Sequence, residues 1–401
     1  MTKNFITEIT DFILQTFPTY KPWAEANAMF LVACANVNAR LDTKRGPGLP
    51  ITFDPWGIGP SRFGFKSTSL LDITETILKI AGFNIFPSRF SVEGYYKLIQ
   101  NKGFTKGALM RDETTGLFME TRKNYLADEE SFLCELLDGR LRGRVTVTHG
   151  EQFPSDLRVN FATCTTPQIL SMLDTGFWVG GLGNRLIPIY FVFKERFGGA
   201  IPVQEEGFFE GKLSYFADKL VSMKDTNVEW VRMTEEVFKK TQLMEYTRRQ
   251  QGLDDFLDDK LDIIPGWYYE CNIFIQKIAA LKAIDRQVGV KEPIVELEDY
   301  VWANQWIDDR YGEFRILLRD WQEIQLRTRI GAYLISDKEK ILRKIVKFGE
   351  LSDTKLNNMT HIPSEERQKL LEELVKEGHI KKDTIFSGGR PKNIWKVVES
   401  S

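Results

Sequence analysis

The chain has 401 residues, 42% of them hydrophobic and 27% charged, with a formal net charge of -2. This is the make-up of an ordinary soluble globular protein of two or three domains. The near-neutral charge excludes a globally basic nucleic-acid binder, so any such binding has to come from local patches. Four scattered cysteines (Cys34, Cys134, Cys164, Cys271) fit reduced core residues of an intracellular protein, and three histidines without partners argue against a zinc site. Neither a signal pattern nor a membrane-spanning run is present, which leads to the expectation of a cytoplasmic protein that binds no membrane.

Residues 4–17 place Phe5, Ile6, Ile9, Phe12, Ile13 and Phe17 at helical spacing, and residues 24–40, rich in alanine, read as a helix buried on most sides. A short, Pro-interrupted apolar stretch (51–56) leads into Trp56-Gly-Ile-Gly-Pro-Ser-Arg-Phe-Gly-Phe-Lys-Ser-Thr-Ser69. Gly59, Pro60, Ser61 and Gly64 make a glycine-rich turn, and Lys66, Ser67 and Thr68 open a helical run. Glycines let backbone N–H groups face inward, the helix start adds partial positive charge, a lysine reaches outer phosphates and a hydroxyl reaches Mg²⁺. Phe65 stands between Gly64 and the lysine, an irregular spacing, and a plain glycine turn before a helix is the alternative. The helix over 68–81 stops at Gly82, a short strand follows at 83–86, and Ser91 caps a helix running to about Gln100. This alternation predicts an α/β layered core.

A strand over 107–111 ends in Asp112-Glu113, the pair an NTPase sets against its phosphate loop: the aspartate for Mg²⁺, the glutamate for the attacking water. An acidic turn after an edge strand is the alternative. The 46 residues from Lys66 to Asp112 suit two strands that are neighbours in one sheet. A helix over 128–138 precedes a hairpin whose basic arm carries Arg140, Arg142 and Arg144, with His149 near the tip; it is either a nucleic-acid contact or a solvated, charge-decorated hairpin. Residues 157–167 form a buried strand ending in Thr165 and Thr166, either of which polarises a water near a γ-phosphate or caps the strand. After a glycine run comes Arg185, then a strand over 186–193. That arginine is placed either as a finger onto a neighbour's nucleotide or as a carboxylate partner in a fold corner.

Residues 194–205 read as a linker and 207–330 as helical, including long runs over 267–288 and 296–327; the acids of 251–262 read as a solvated face. Residues 338–398 carry fourteen lysines and arginines against nine acids, and their pattern of three helices and a hairpin with a glycine-rich tip is that of a winged helix. Lys381, Lys382, Arg390 and Lys392 on the wing suit phosphates, and the third helix suits a groove; protein contacts are the alternative use.

Together these stretches resemble the AAA+ ATPase core in the style of the minichromosome maintenance helicases, most of all the helicase-like ATPases of viruses, plasmids and integrated elements. The matching residues are Gly59-Pro-Ser, Gly64-Phe-Lys66-Ser67, Gly107-Ala-Leu-Met-Arg-Asp112-Glu113, the basic hairpin to His149, Thr165-Thr-Pro167 and Gly181-Leu-Gly-Asn-Arg185, in that order over roughly 45–195. The resemblance implies that Gly59, Ser61, Gly64, Lys66, Ser67 and Thr68 hold ATP, and that Ser67 and Asp112 hold Mg²⁺. It also implies that Glu113 is the catalytic base, Thr165 or Thr166 a polar sensor, Arg185 a trans arginine finger, and Arg142, Arg144 and His149 part of a DNA-facing hairpin. Phe65, Arg111 before the acids and the lack of an asparagine sensor depart from the pattern.

The expected fold is therefore an α/β P-loop NTPase core of AAA+ type with a helical lid and a C-terminal winged helix. Its divisions are N-terminal helices at 1–44, the ATPase core at 45–195, the lid at 206–330 and the winged helix at 338–398. The expected function is an ATP-dependent DNA helicase or translocase of a mobile-element or viral replication system, forming a homo-oligomeric, hexameric ring, with a primase or polymerase as a further partner. Two alternatives stay open: a catalytically weak ATP-binding scaffold, and a winged-helix DNA-binding initiator or regulator.

Overall fold

The computed structural model describes residues 4–16, 19–44, 46–59, 67–88, 94–95, 98, 105–112, 127–138, 157–171, 173, 177–178, 181–191, 207–259, 263–334, 337–360, 362, 364–385 and 392–398. The chain divides into two compact units, residues 1–320 and 321–401.

In the first unit, α1 (Phe5–Thr16) and α2 (Lys21–Ala35) precede the short strands β1 (Arg40–Leu41) and β2 (Leu49–Pro50). A five-stranded sheet follows, built from β3 (Pro55–Ile58), β4 (Ile85–Phe86), β5 (Lys106–Arg111), β6 (Arg158–Thr165) and β7 (Ile187–Tyr190). Its order is β4-β5-β6-β3-β7 and every pairing is parallel. Helices between the strands include α3 (Ser67–Ile80), α4 (Ala127–Leu137) and the single turn α5 (Leu182–Arg185). From β3 the chain moves across the sheet to β4, whereas from β5 to β6 and from β6 to β7 it moves the other way. Right-handed crossovers of opposite sense put α3 on one face and α4 with α5 on the other.

The sequence accounts for the sheet's centre. Parallel strands covered on both faces lose the polar alternation of a half-solvated strand, and β6 is buried at all of its positions. Trp56 and Gly57 of β3 point to opposite faces. On one side Gly57 leaves room for the ring of Trp23 from α2, whose atoms lie 3.1 Å from where a Cβ would stand. On the other, Trp56 meets Phe177 at 5.6 Å and Trp178 at 6.2 Å between ring centroids. Two buried side chains satisfy backbone donors between β6 and the segment leading into β3: Asn160 Oδ1 accepts from Phe53 N at 2.9 Å, and Asp54 Oδ1 accepts from Phe161 N at 2.9 Å.

Four features differ from the sequence reading. The strands that end at Gly59 and Asp112 are not neighbours, because β6 lies between β3 and β5 and pairs with both. A sequence interval sets the length of a connection but not which later strand is inserted beside it. The Pro-interrupted stretch contributes a central strand, since Pro55 stands at its first position, where a missing N–H costs least. The second helix starts earlier and ends at Ala35, with residues 40–41 in a strand. The helical block contains β8 (Trp230–Met233) and β9 (Ile294–Val295), which join β1 and β2 in a second sheet of order β2-β1-β8-β9.

The remaining helices of this unit are α6 (Phe208–Thr226), α7 (Glu235–Asp259), α8 (Ile263–Arg286) and the start of α9 (Leu297–Leu334). Buried Arg248 of α7 donates to Asn304 Oδ1 at 2.9 Å and Asp308 Oδ1 at 2.5 Å on α9.

The second unit runs α10 (Asp337–Phe348), β10 (Glu350–Ser352), α11 (Asp353–Thr360), α12 (Ser364–Lys376), β11 (Ile380–Ile385) and β12 (Lys392–Val397). Its antiparallel sheet has the order β10-β12-β11. Ile341, Ile345, Leu351, Leu356, Leu371, Leu374, Ile380 and Trp395 form its own apolar core. Asp353 ties helix to sheet, accepting from Trp395 Nε1 at 3.0 Å and Gln368 Nε2 at 2.9 Å.

Candidate functional site

In an open parallel sheet, a crevice forms at the carboxyl ends of neighbouring strands whose connections leave toward opposite faces. Here those strands are β3 and β6. Their ends are joined where Gly59 N donates to Thr165 O at 3.1 Å, and Phe191 N donates to Ile58 O at 3.1 Å on the far side of β3. After Gly59 the next described residue is Ser67, the first of α3. A helix of this length presents unpaired backbone N–H groups at its start, a setting that favours anions.

β5 brings Asp112 to the same edge. Thr163 Oγ1 donates to Arg111 O at 2.8 Å and Cys164 Sγ to Asp112 O at 2.9 Å, so two side chains of β6 fix the end of β5. Asp112 is exposed, Thr165 buried and Thr166 half-buried. Partial burial pushes the Asp72 carboxyl of α3 above its ordinary range, and the charges of Glu75 and then Asp112 push it further. The charge of Asp112 is therefore felt at α3. Of the residues singled out in sequence, the structure gathers Gly59, the backbone of Ser67 and Thr68, Asp112, Thr165 and Thr166 at one edge. Ser61, Gly64, Lys66 and Glu113 lie outside the described residues, as do Arg142, Arg144, His149 and Arg390.

Arg185 is elsewhere. It precedes β7, whose Ile187 pairs with Pro55 at the opposite end of β3 from Gly59. Several residues of strand, at ~3.3 Å each, separate it from the crevice. Its guanidinium donates through Nε to Asp138 Oδ1 at 2.6 Å, through Nη2 to Asp138 Oδ2 at 2.8 Å and through Nη1 to Gly181 O at 2.8 Å. The hydrogen bonds to Asp138 hold the Arg185 pKa above its usual value. Sequence reasoning missed Asp138, although a signal was present: an acid at the carboxyl end of α4 opposes the helix dipole and calls for a cation.

Beside this pair lies a cavity of about 620 Å³ lined by, among others, Asp54, Glu245, Glu270 and Lys277. Burial pushes Asp54 up to about 7 against the opposing pull of Lys277 and the Phe161 N–H. Burial also raises Glu270 and lowers Lys277, which donates to Thr52 Oγ1 at 2.8 Å.

On the second unit, Lys381 and Lys382 of β11 are exposed, with Lys382 Nζ 5.4 Å from the centre of the Trp395 ring. Lys392 pairs through its backbone with Ile385. The exposed side of α12 carries Glu365, Glu366, Glu372 and Glu373 against Lys369 and Lys376. An acidic helix face is repelled by phosphates, whereas Lys381 and Lys382 present exposed positive charge on β11.

No family model matches the chain, and no curated protein matches it. Among solved structures, the chain is similar to a full-length MCM homolog from Methanopyrus kandleri, with 14% identity and a TM-score of 0.43. The likeness covers 77% of this chain and 61% of that one. Among the described residues, no helix is long and apolar enough to cross a membrane.

Proposed function

We propose that this chain is an ATP-hydrolysing motor of AAA+ type that acts on DNA and works as a homo-oligomeric ring. The observation that carries the reading is the crevice between β3 and β6, where Gly59 at the end of β3, the N-terminus of α3, Asp112 at the end of β5 and two threonines lie at one edge of a parallel sheet. ATP with Mg²⁺ fits that donor set. Backbone N–H groups of the loop and of α3 receive phosphate oxygens, with Lys66 neutralising the outer charge. Ser67 and Asp112 hold the cation, and Glu113, next to Asp112, takes the proton of the attacking water. Bound ATP supplies the phosphoryl group. Thr165 or Thr166 orients the water from the neighbouring strand end.

Arg185 stands too far from the crevice of its own chain, so a role in transition-state charge stabilisation requires a second copy, and with it a ring or another closed oligomer. The N-terminal helices, the helices of 206–330 as a lid, and residues 338–398 as a winged helix complete the proposed assembly. Contact with DNA falls to Lys381, Lys382, Arg390 and Lys392 of the wing and to Arg142, Arg144 and His149, rather than to acidic α12. A helicase or translocase of a mobile-element or viral replication system, working beside a primase or polymerase, is the process this set of parts suits.

The test is ATP hydrolysis with and without single-stranded DNA, for the native chain and Glu113→Gln. DNA-stimulated turnover that falls about 100-fold or more in the variant supports the motor. ATP binding without turnover in either protein makes the chain a scaffold instead. A nucleotide-independent DNA complex of fixed stoichiometry makes it a DNA-binding regulator.

A further inference from the structure

Arg185 is held in a seat that the surrounding chain is shaped to provide. Both oxygens of Asp138 are engaged by its fork, a bidentate arrangement that adds geometric restraint to charge attraction. The third arm lies on the Gly181 carbonyl. Gly181 has φ +100°, a backbone state that side chains disfavour, and a Cβ there would stand 2.5 Å from Arg185 Nη1. The glycine thus serves twice: it turns the chain into α5, and its missing side chain leaves the space that the guanidinium fills. Around this seat the cavity wall carries, among the described residues, Asp54, Glu245, Glu270 and Lys277. An anion approaching Arg185 in this position meets an arginine whose charge is already matched by Asp138.

We propose that Asp138 is a latch that keeps Arg185 withdrawn in the single chain, and that Arg185 reaches a neighbouring copy's nucleotide only after leaving Asp138. The inference rests on the reading of Arg185 as a residue that acts in trans. Asp138 then has a positioning role: it sets the fraction of chains whose arginine is free, and with it the chain concentration at which hydrolysis appears. A ligand that needs the released state pays the cost of release, so the apparent affinity between copies drops by the released fraction.

The experiment measures ATP hydrolysis by the full chain as a function of its own concentration, for the native protein, Asp138→Asn, Arg185→Ala and the double variant. Asp138→Asn keeps the shape of the side chain while removing its charge, and Asp138→Ser is carried alongside so that a folding defect in one variant does not decide the result. Release of the latch is expected to lower the concentration of half-maximal turnover about tenfold, with little change in the plateau, and the double variant should behave as Arg185→Ala. A structural corner pair predicts something else: loss of turnover in Asp138→Asn together with Arg185→Ala, which overturns the latch. An Asp138→Asn curve that overlays the native one overturns it too. If Arg185→Ala itself turns over normally, the trans reading of Arg185 fails first and the latch fails with it. If the native chain hydrolyses nothing, turnover gained in Asp138→Asn supports the proposal, and continued silence overturns it.

Discussion

Asp54 is a carboxyl buried between the sheet and α8, and burial is the main reason its pKa rises to about 7. An unfolded aspartate titrates near ~3.9, so between roughly pH 4 and 7 the folded chain binds a proton that the unfolded chain has released. Linkage gives the sign: this group's contribution is fully present below pH ~4 and is lost as pH rises through 7. Asp54→Asn retains an oxygen for the Phe161 N–H and removes the titration. Urea unfolding at pH 5 and pH 8 should show the native chain losing ~2–3 kcal/mol relative to the variant over that interval. Parallel behaviour of the two proteins would mean that Asp54 is ionised throughout. Nothing in the sequence marked this residue, since one acid before a Pro-Trp pair looks like a turn. The partners that matter, Phe161 and Lys277, lie more than a hundred residues away in the chain. The positions of Asp112 and Thr165 at the ends of β5 and β6 were readable because a short apolar run ending in polar residues is a local pattern. Asp138 and Arg185 were readable only singly, their pairing being a product of packing α4 against α5.

At the scale of elements, helices with strong apolar periodicity were found within a few residues of their observed ends, as with α1, α3 and α8. The short strands β4 and β7 were found because each is a run of apolar residues, whereas β1, β2, β8 and β9 lack such a run and were missed. The start of α1 shows a further limit. Its first two amides are received by Asp285 of α8, with Phe5 N at 2.8 Å from Oδ1 and Ile6 N at 3.1 Å from Oδ2. This cap comes from the far end of the unit, so a search for a capping residue beside the helix cannot find it. Asp285→Ala leaves two buried donors without an acceptor, and the expected loss is ~2–4 kcal/mol. Hydrogen exchange at the amides of α1 and the unfolding midpoint should both report it. A loss under 0.5 kcal/mol would mean that water replaces the carboxylate there.

Across the whole molecule, the order β4-β5-β6-β3-β7 could not be taken from the sequence, because strand insertion is decided by which faces the helices cover. That order nevertheless makes the proposed site possible, since it lays β6 between the strands that end at Gly59 and Asp112. The two units each have a core of their own: the apolar cluster around Ile341, Leu371 and Trp395 in residues 321–401, and the sheet with its helices in residues 1–320. Separate cores favour separate unfolding transitions. A ligand that binds only one folded unit stabilises that unit by RT ln(1 + [L]/Kd), about 2.7 kcal/mol at a hundredfold excess over Kd. Calorimetry of the full chain is therefore expected to show two transitions. ATP with Mg²⁺ should raise the larger, which belongs to residues 1–320, by ~2–4 °C and leave the smaller in place. Chelating the Mg²⁺ should return part of the shift, in proportion to the share of affinity that passes through the cation at Asp112. If ATP moved only the smaller transition, the nucleotide would bind outside the crevice and the assignment of Gly59, Lys66 and Asp112 would fall. A single transition that ATP raises as a whole would leave that assignment intact and show that the two cores unfold as one cooperative body.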